Sequence, residues 1–326
     1  MKKALVVGIN NYPKAELRGC VNDANAIAGV LGANGDGSPN FDVKLVTVPN
    51  ETIDRAKLKG LVDSLFSGDA DIALFYFSGH GVVTSTGGYI VTPDFRKYEE
   101  GVSMDEILNL ANKSHAKNRV IILDCCHSGA FGSPNFSGAN ICQLSEGLSV
   151  LTASRDSESA LEVNGCGVFT SLVVNALQGG AADLGGHITP GGIYAYVDQA
   201  LGAWDQRPIF KTNVTSFTSL RTIPARVPLA TLRMLTEYFQ APQDEHKLNP
   251  SYEFTNSTKQ SQPEVKQPEA DPAKVSIMKD LQKFVSVGLV VPIDEEHMYF
   301  AAMNSKSCKL TALGFHYWRL VKEKRL

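Results

Sequence analysis

Short apolar runs alternate with segments of helical period along most of the chain, and this alternation leaves few folds open to it. Residues 4–9, 43–48, 72–77, 119–125 and 148–153 read as buried strands, with a shorter strand near 208–211. Between them, residues 23–31, 53–66, 103–110, 168–177 and 193–201 carry apolar side chains at helical spacing. Asn22 or Asp23 opens the helix at 23–31, and Ser103-Met104-Asp105-Glu106 is a capping-box sequence that starts another. Strands alternating with helices predict an α/β domain, a mostly parallel sheet with helices on both faces. Ligands of such sheets bind outside the carboxyl ends of the strands.

Two of those ends carry reactive groups. One run closes as Phe75-Tyr76-Phe77-Ser78-Gly79-His80-Gly81, and another as Leu123-Asp124-Cys125-Cys126-His127-Ser128-Gly129. A sheet containing both would set a thiol beside an imidazole at its rim, the minimum equipment for a cysteine nucleophile. Side chains alternate across a strand, so Asp124 and Cys126 share one side while Cys125 points to the other. Cys126 is therefore the candidate nucleophile, Cys125 a core residue and His127 part of the turn. His80 would take the thiol proton and later return it to a leaving amine. The amide N–H groups of Gly81 and Cys126 are the candidate oxyanion donors, because a glycine lets a substrate approach the backbone closely. A backbone carbonyl could orient the imidazole; no third side chain is assigned.

Composition narrows the partners. A net charge of −3 gives no electrostatic reason to expect nucleic acid or a membrane surface. The six cysteines, at 20, 125, 126, 142, 166 and 308, have neither the density of a disulfide scaffold nor paired zinc-ligand spacing, and read as reduced thiols. Lys2 and Lys3 precede only the short run 4–9, too little for an export signal. No stretch approaches the roughly 20 apolar residues that span a bilayer, so a cytoplasmic protein is expected.

The strand-end motifs are specific. YFSGHG followed by DCCHSG, with His80 lying 46 residues before Cys126, resembles the caspase superfamily of cysteine peptidases, closest to metacaspases and their bacterial relatives. Gly19-Cys20-Val21-Asn22-Asp23-Ala24 is similar to the G-C-x-N-D-A stretch early in metacaspase catalytic domains. The resemblance covers roughly residues 1–220. It implies the caspase-hemoglobinase fold, a mostly parallel six-stranded sheet, and thiol peptidase activity through a thioester acyl-enzyme.

It also implies a substrate class. The residues matching Asp23 and Asp124 line the metacaspase pocket for the side chain before the scissile bond, where carboxylates favour guanidinium or ammonium. Cleavage after Arg or Lys is expected. Asp23 could also simply cap its helix. Caspases proper prefer Asp and have Gln where this chain has Asp124; Arg18 keeps that alternative open, because a basic residue of this segment binds the substrate aspartate there. No cofactor is required. Many metacaspases are activated by calcium, and Asp94, Glu99, Glu100, Asp105 and Glu106 are the candidate ligands, against the alternative of a solvated acidic loop.

The chain from 1 to 224 is expected to form the catalytic domain, followed by a connecting helix over 225–240, a flexible Pro-rich polar linker over 241–273, and an α+β winged-helix-like module over 274–326. In that module residues 298–302 read as a strand and Thr311 as the cap of a last helix. No Lys or Arg lies between Arg119 and Arg155, so an Arg/Lys-directed enzyme could not cut its own 130–147 segment; Lys247, Lys259 and Lys266 offer better sites. The module would dock a regulatory protein. A silent scaffold and a DNA-binding regulator are the competing function classes. A protease with a separate sensing module suits regulated cell death or antiphage defence.

Overall fold

The structure is a computed structural model that describes the chain except residues 14, 49, 98, 126–142, 154–161, 164, 202–207 and 259–264, with only the backbone described at 162 and 163. It divides into two compact units, Met1–Pro224 and Ala225–Leu326. Among the described residues no helix is long and apolar enough to cross a membrane.

The first unit runs β1 (Lys2–Ile9), α1 (Cys20–Gly32), β2 (Phe41–Val48), α2 (Arg55–Phe66), β3 (Ile72–Ser78), β4 (Gly81–Thr84), β5 (Gly87–Arg96), β6 (Glu99–Ser103), α3 (Met104–Lys113), β7 (Asn118–Asp124) and β8 (Leu148–Thr152). It continues through β9 (Glu162–Val163), β10 (Cys166–Gly167), α4 (Val168–Asn175), β11 (His187–Ile188), α5 (Pro190–Ala200), β12 (Ile209–Asn213) and β13 (Arg221–Thr222). Six strands form the main sheet in the order β12-β8-β7-β3-β1-β2. All neighbours in it are parallel except β12, which runs antiparallel to β8 at the edge. The expected α/β architecture is the one observed.

Period-two alternation sorts the strand side chains into two cores. Leu5, Val7, Phe75, Phe77, Ile121 and Leu123 pack with α2 and α3 on one face. Ala4, Val6, Leu74, Tyr76, Val120 and Ile122 pack with α1, α4 and α5 on the other. Strands buried on both faces read as continuous apolar runs, which is why the sequence pattern found them.

The segment after His80 forms strands. Strands β4, β5 and β6 form a separate antiparallel three-stranded sheet. Ile90, Val91 and Val102 are buried while Gly87, Gly88, Gly101 and Ser103 interrupt the pattern, so this smaller sheet buries too few side chains to leave a long apolar run. Ser103 does start α3, but its side chain makes no capping bond.

The second unit holds α6 (Leu229–Arg233), α7 (Leu235–Tyr238), β14 (Glu245–Lys247), α8 (Pro272–Ser286), β15 (Val290–Pro292), α9 (Met298–Met303), β16 (Ser307–Leu310) and α10 (Ala312–Lys322). Its three strands pair antiparallel in the order β14-β16-β15. Three expectations change here. Residues 225–240 carry two short helices that meet at Met234. Residues 298–302 are helical, because Met298, Ala301 and Ala302 bury one helical face. The described part of 241–273 is folded instead of a flexible linker: Leu248 and Tyr252 are buried, and the Asn256 amide donates to the carbonyls of Pro250, Lys266 and Pro268. Polar, proline-rich composition therefore reflects backbone satisfied by side chains. Lys247 lies in β14 and the Lys266 ammonium donates to the Met303 carbonyl, while Lys259 lies outside the described residues. Thr311 caps α10 by accepting from the Gly314 N–H at 3.0 Å.

Candidate active site

Strands β3 and β7 are neighbours at the middle of the sheet, and their register pairs Ser78 with Asp124. The Gly79 N–H donates to the Asp124 carbonyl at 3.3 Å, carrying the pairing one residue further. His80 and Cys126 each follow that pair by two residues. Cys126, with its oxyanion amide, and His127 lie outside the described residues; His80, Gly81, Asp23 and Asp124 lie within them.

His80 is half-buried and held on every side. Its Nε2 lies 2.7 Å from the carbonyl oxygen of Ala15. A carbonyl only accepts, so Nε2 carries the proton, and in the neutral form of the imidazole the lone pair is on Nδ1. The His80 backbone N–H donates to the Tyr12 hydroxyl at 3.1 Å, and that hydroxyl donates to the Val91 carbonyl at 3.2 Å. The Val91 N–H donates back to the His80 carbonyl at 2.8 Å. The Tyr12 ring meets the imidazole edge-on, with centroids 4.6 Å apart. Burial raises the Tyr12 phenol well above its ordinary value, which keeps the hydroxyl neutral and able to donate. Gly79 makes this approach possible, since a Cβ there would stand 2.4 Å from the Tyr12 oxygen. Gly81 follows at the start of β4.

Asp23 and Asp124 are both buried, at 3% and 5% exposure. Asp23 sits in the first turn of α1, whose N-cap residue is Gly19, so capping is not its role. Its two oxygens instead accept the Gly167 N–H at 3.0 and 3.1 Å, and Oδ2 accepts the Ser78 hydroxyl at 3.2 Å. Asp124 Oδ2 accepts the Thr170 hydroxyl at 2.6 Å. With that proton committed, the Thr170 oxygen accepts from the Tyr76 hydroxyl, also at 2.6 Å. Burial first, then the negative charges of Asp124 and Asp23, push the Tyr76 phenol well above its ordinary range. A Cβ on Gly167 would come within 2.4 Å of Asp124 and 3.0 Å of Asp23, so both carboxylates converge on this glycine. Arg18 is exposed and among the described residues pairs with no carboxylate.

The sheet separates this acid pair from a second feature. Asp124 and Ser78 follow the parity of Ile122 and Tyr76, on the α1 and α4 face. Tyr12, Val82 and Val91 belong to the opposite core. There, beside His80, lies a cavity of about 600 Å³. His80 stands at the strand end between the two.

The five acidic residues considered for calcium do not gather into a ligand set. Asp94 accepts the Arg55 N–H, Glu99 pairs with the Arg55 guanidinium and Glu106 with Lys59. Among the described residues no group of three or more His, Cys, Asp or Glu could hold a metal ion.

The family model for the caspase domain of the C14 peptidases matches residues 1–250. The chain belongs to that family. Among its caspase-domain relatives, Metacaspase-4 of Arabidopsis thaliana is 36% identical over 147 residues, 39% of this chain and 34% of the relative. Metacaspase-9 of the same plant is 31% identical over 148 residues, 40% of this chain and 44% of the relative. Metacaspase-1 of Candida albicans is 36% identical over 116 residues, 33% of this chain and 24% of the relative. The chain thus spans less than half the length of the curated relatives it matches. In fold, it is similar to the crystal structure of protein GSU0716 from Geobacter sulfurreducens, with a TM-score of 0.51 at 17% identity, covering 69% of this chain and 99% of that one.

Sequence reasoning assigned His80, Asp23 and Asp124 but missed Tyr12, Ala15, Ser78, Gly167 and Thr170. Ser78 was within reach, because it shares the parity of Asp124 on a neighbouring strand. The others act through backbone groups or hydroxyls that no local pattern distinguishes.

Proposed function

We propose that this caspase-domain protein is a cysteine endopeptidase that cleaves proteins after Arg or Lys. The observation that carries this reading is the convergence of Asp23 and Asp124 on Gly167, at the carboxyl ends of the strands that lead to His80 and Cys126. The two carboxylates accept an amide N–H and two hydroxyls and face one another, and the occupant that fits between them is a guanidinium or ammonium.

The chemistry follows from the imidazole's orientation. Nδ1 of His80 takes the proton of the Cys126 thiol, and the thiolate sulfur forms a bond to the carbonyl carbon of the residue held by the carboxylates. The carbonyl oxygen, now negative, is met by the N–H groups of Gly81 and Cys126. As the C–N bond breaks, His80 delivers its proton to the departing amine, leaving a thioester. Water then adds to the thioester with His80 as base, releasing the new carboxyl end and restoring the thiol. The second unit is the candidate for docking a regulatory protein, an arrangement that suits a protease of cell death or antiphage defence.

A fluorogenic panel with Arg, Lys or Asp before the scissile bond, run with and without calcium, tests the reading. Turnover of the Arg and Lys peptides that disappears in Cys126→Ala is expected. Asp-selective turnover, or activity surviving Cys126→Ala, overturns it.

A further inference from the structure

We propose that the cavity beside His80 receives the residues that follow the scissile bond, and that it selects an apolar residue followed by an acidic one. This rests on the peptidase reading above and extends it to the leaving side of the substrate.

The orientation of the substrate follows from the two faces of the sheet. The residue before the scissile bond is drawn to Asp23 and Asp124 on the α1 and α4 face. The amine that leaves takes its proton from His80, so the chain beyond the cut begins beside the imidazole. His80 and Gly81 line the cavity together with Tyr12, Val82 and Val91 of the opposite core. A peptide crossing the strand ends between the acid pair and this cavity therefore enters it with its leaving side.

The lining states what it would accept. Tyr12, Pro13, Val82, Val91 and Pro93 give an apolar interior, and Phe95 stands 51% exposed along it. Arg96 and Lys97 also line the cavity, and none of the described lining residues is acidic. Of the carboxylates beside it, Asp94 is turned to the backbone N–H of Arg55, and Glu99, opposite Arg96 on the neighbouring strand, pairs with the Arg55 guanidinium. The volume, about 600 Å³, lies inside the range of roughly 300–1,000 Å³ common to ligand pockets. Carboxylates on one side of His80 and the Arg96 guanidinium on the other match a substrate that is basic before the cut and acidic shortly after it. The apolar walls between them match a large aliphatic or aromatic residue directly after the cut.

Internally quenched peptides identical through an Arg and continuing as Leu-Glu, Leu-Lys or Gly-Glu test this with the full chain, alongside an Arg coumarylamide that carries no residue beyond the scissile bond. Leu-Glu is expected to be cleaved with a kcat/KM about tenfold above Gly-Glu, the difference of one buried aliphatic side chain. It should exceed Leu-Lys by about threefold, the scale of an exposed charge pair. In Arg96→Glu the ratio of Leu-Glu to Leu-Lys should fall below one, a readout that is independent of overall activity. Coumarylamide turnover with equal cleavage of all three peptides overturns the subsite and leaves the peptidase reading standing. Failure to cleave any of the four overturns both.

Discussion

The Nε2 atom of His80 lies 2.7 Å from the carbonyl oxygen of Ala15, which leaves Nδ1 as the ring nitrogen turned away from that carbonyl. Ala15 belongs to the connection between β1 and α1, and Tyr12 of the same connection holds the His80 backbone. The imidazole is therefore oriented from outside its own strand. A strand end alone would leave the ring free to rotate about its side-chain bonds, and each misoriented rotamer would present the wrong nitrogen.

Tyr12→Phe tests that support. The substitution keeps the ring against the imidazole and removes the hydroxyl that joins the His80 N–H to the Val91 carbonyl. A part-buried N–H and a buried carbonyl lose their partner, at a cost of about 1–3 kcal/mol in unfolding free energy. A denaturant titration reads the stability. On the coumarylamide, kcat should fall by up to about tenfold with little change in KM, because the partners of the hydroxyl are the His80 N–H and the Val91 carbonyl.

Gly167→Ala should strike substrate binding. The new Cβ would stand 2.4 Å from Asp124 and 3.0 Å from Asp23, and the buried carboxylates would have to separate. The expected result is a rise in KM for Arg peptides of about tenfold or more, the size of one disturbed charged hydrogen bond. Steady-state kinetics checks this, and an unchanged KM would remove Gly167 from the pocket.

Asp124→Asn keeps an oxygen that can accept from Thr170 and deletes the charge. The kcat/KM for Arg peptides should fall by about 10- to 100-fold, the equivalent of the roughly 1.5–3 kcal/mol of a hydrogen bond to a charged group. Turnover of a citrulline peptide, which has the shape of Arg without its charge, should change far less. A uniform loss on both peptides would mean that Asp124 shapes the strand end and does not read charge.

How much of this was legible in the sequence follows the physics of each element. The main sheet and its helices were, because strands buried on two faces and helices buried on one leave unbroken periodic patterns. The sheet β4–β6 was not, since its alternation is carried by only a few buried side chains such as Ile90 and Val102. His80 stood out by its place after an apolar run, and Asp124 by strand parity. The partners that position them are 46 to 144 residues away along the chain, as with Thr170 beneath Asp124 and Gly167 against Asp23. A hydroxyl or a glycine N–H at such separation has no signature until the fold brings it in. Composition misled in the second unit, where prolines and polar residues over 241–273 signalled a linker while Asn256 bonds three carbonyls from that same segment.

Cys308 supplies a pH signature in the second unit that is independent of catalysis. It lies in β16 between β14 and β15, fully buried, and burial together with the nearby charge of Glu245 pushes its thiol from 9.0 up to about 12. Below the unfolded value both states hold the proton, so this thiol adds no pH dependence. Between about 9 and about 12 the unfolded chain releases a proton that the folded chain keeps, so the unfolding free energy falls as pH rises through that window. Wild type should therefore lose stability more steeply from pH 8.5 to about 10.5 than Cys308→Ala, which lacks the titrating thiol but retains every other group that ionises there. Urea titrations of both proteins across that range give the two slopes. Parallel slopes would show that the thiol ionises equally well in the folded protein. The same shielding predicts that native Cys308 resists alkylation at pH 8, a rate to be compared with that in urea.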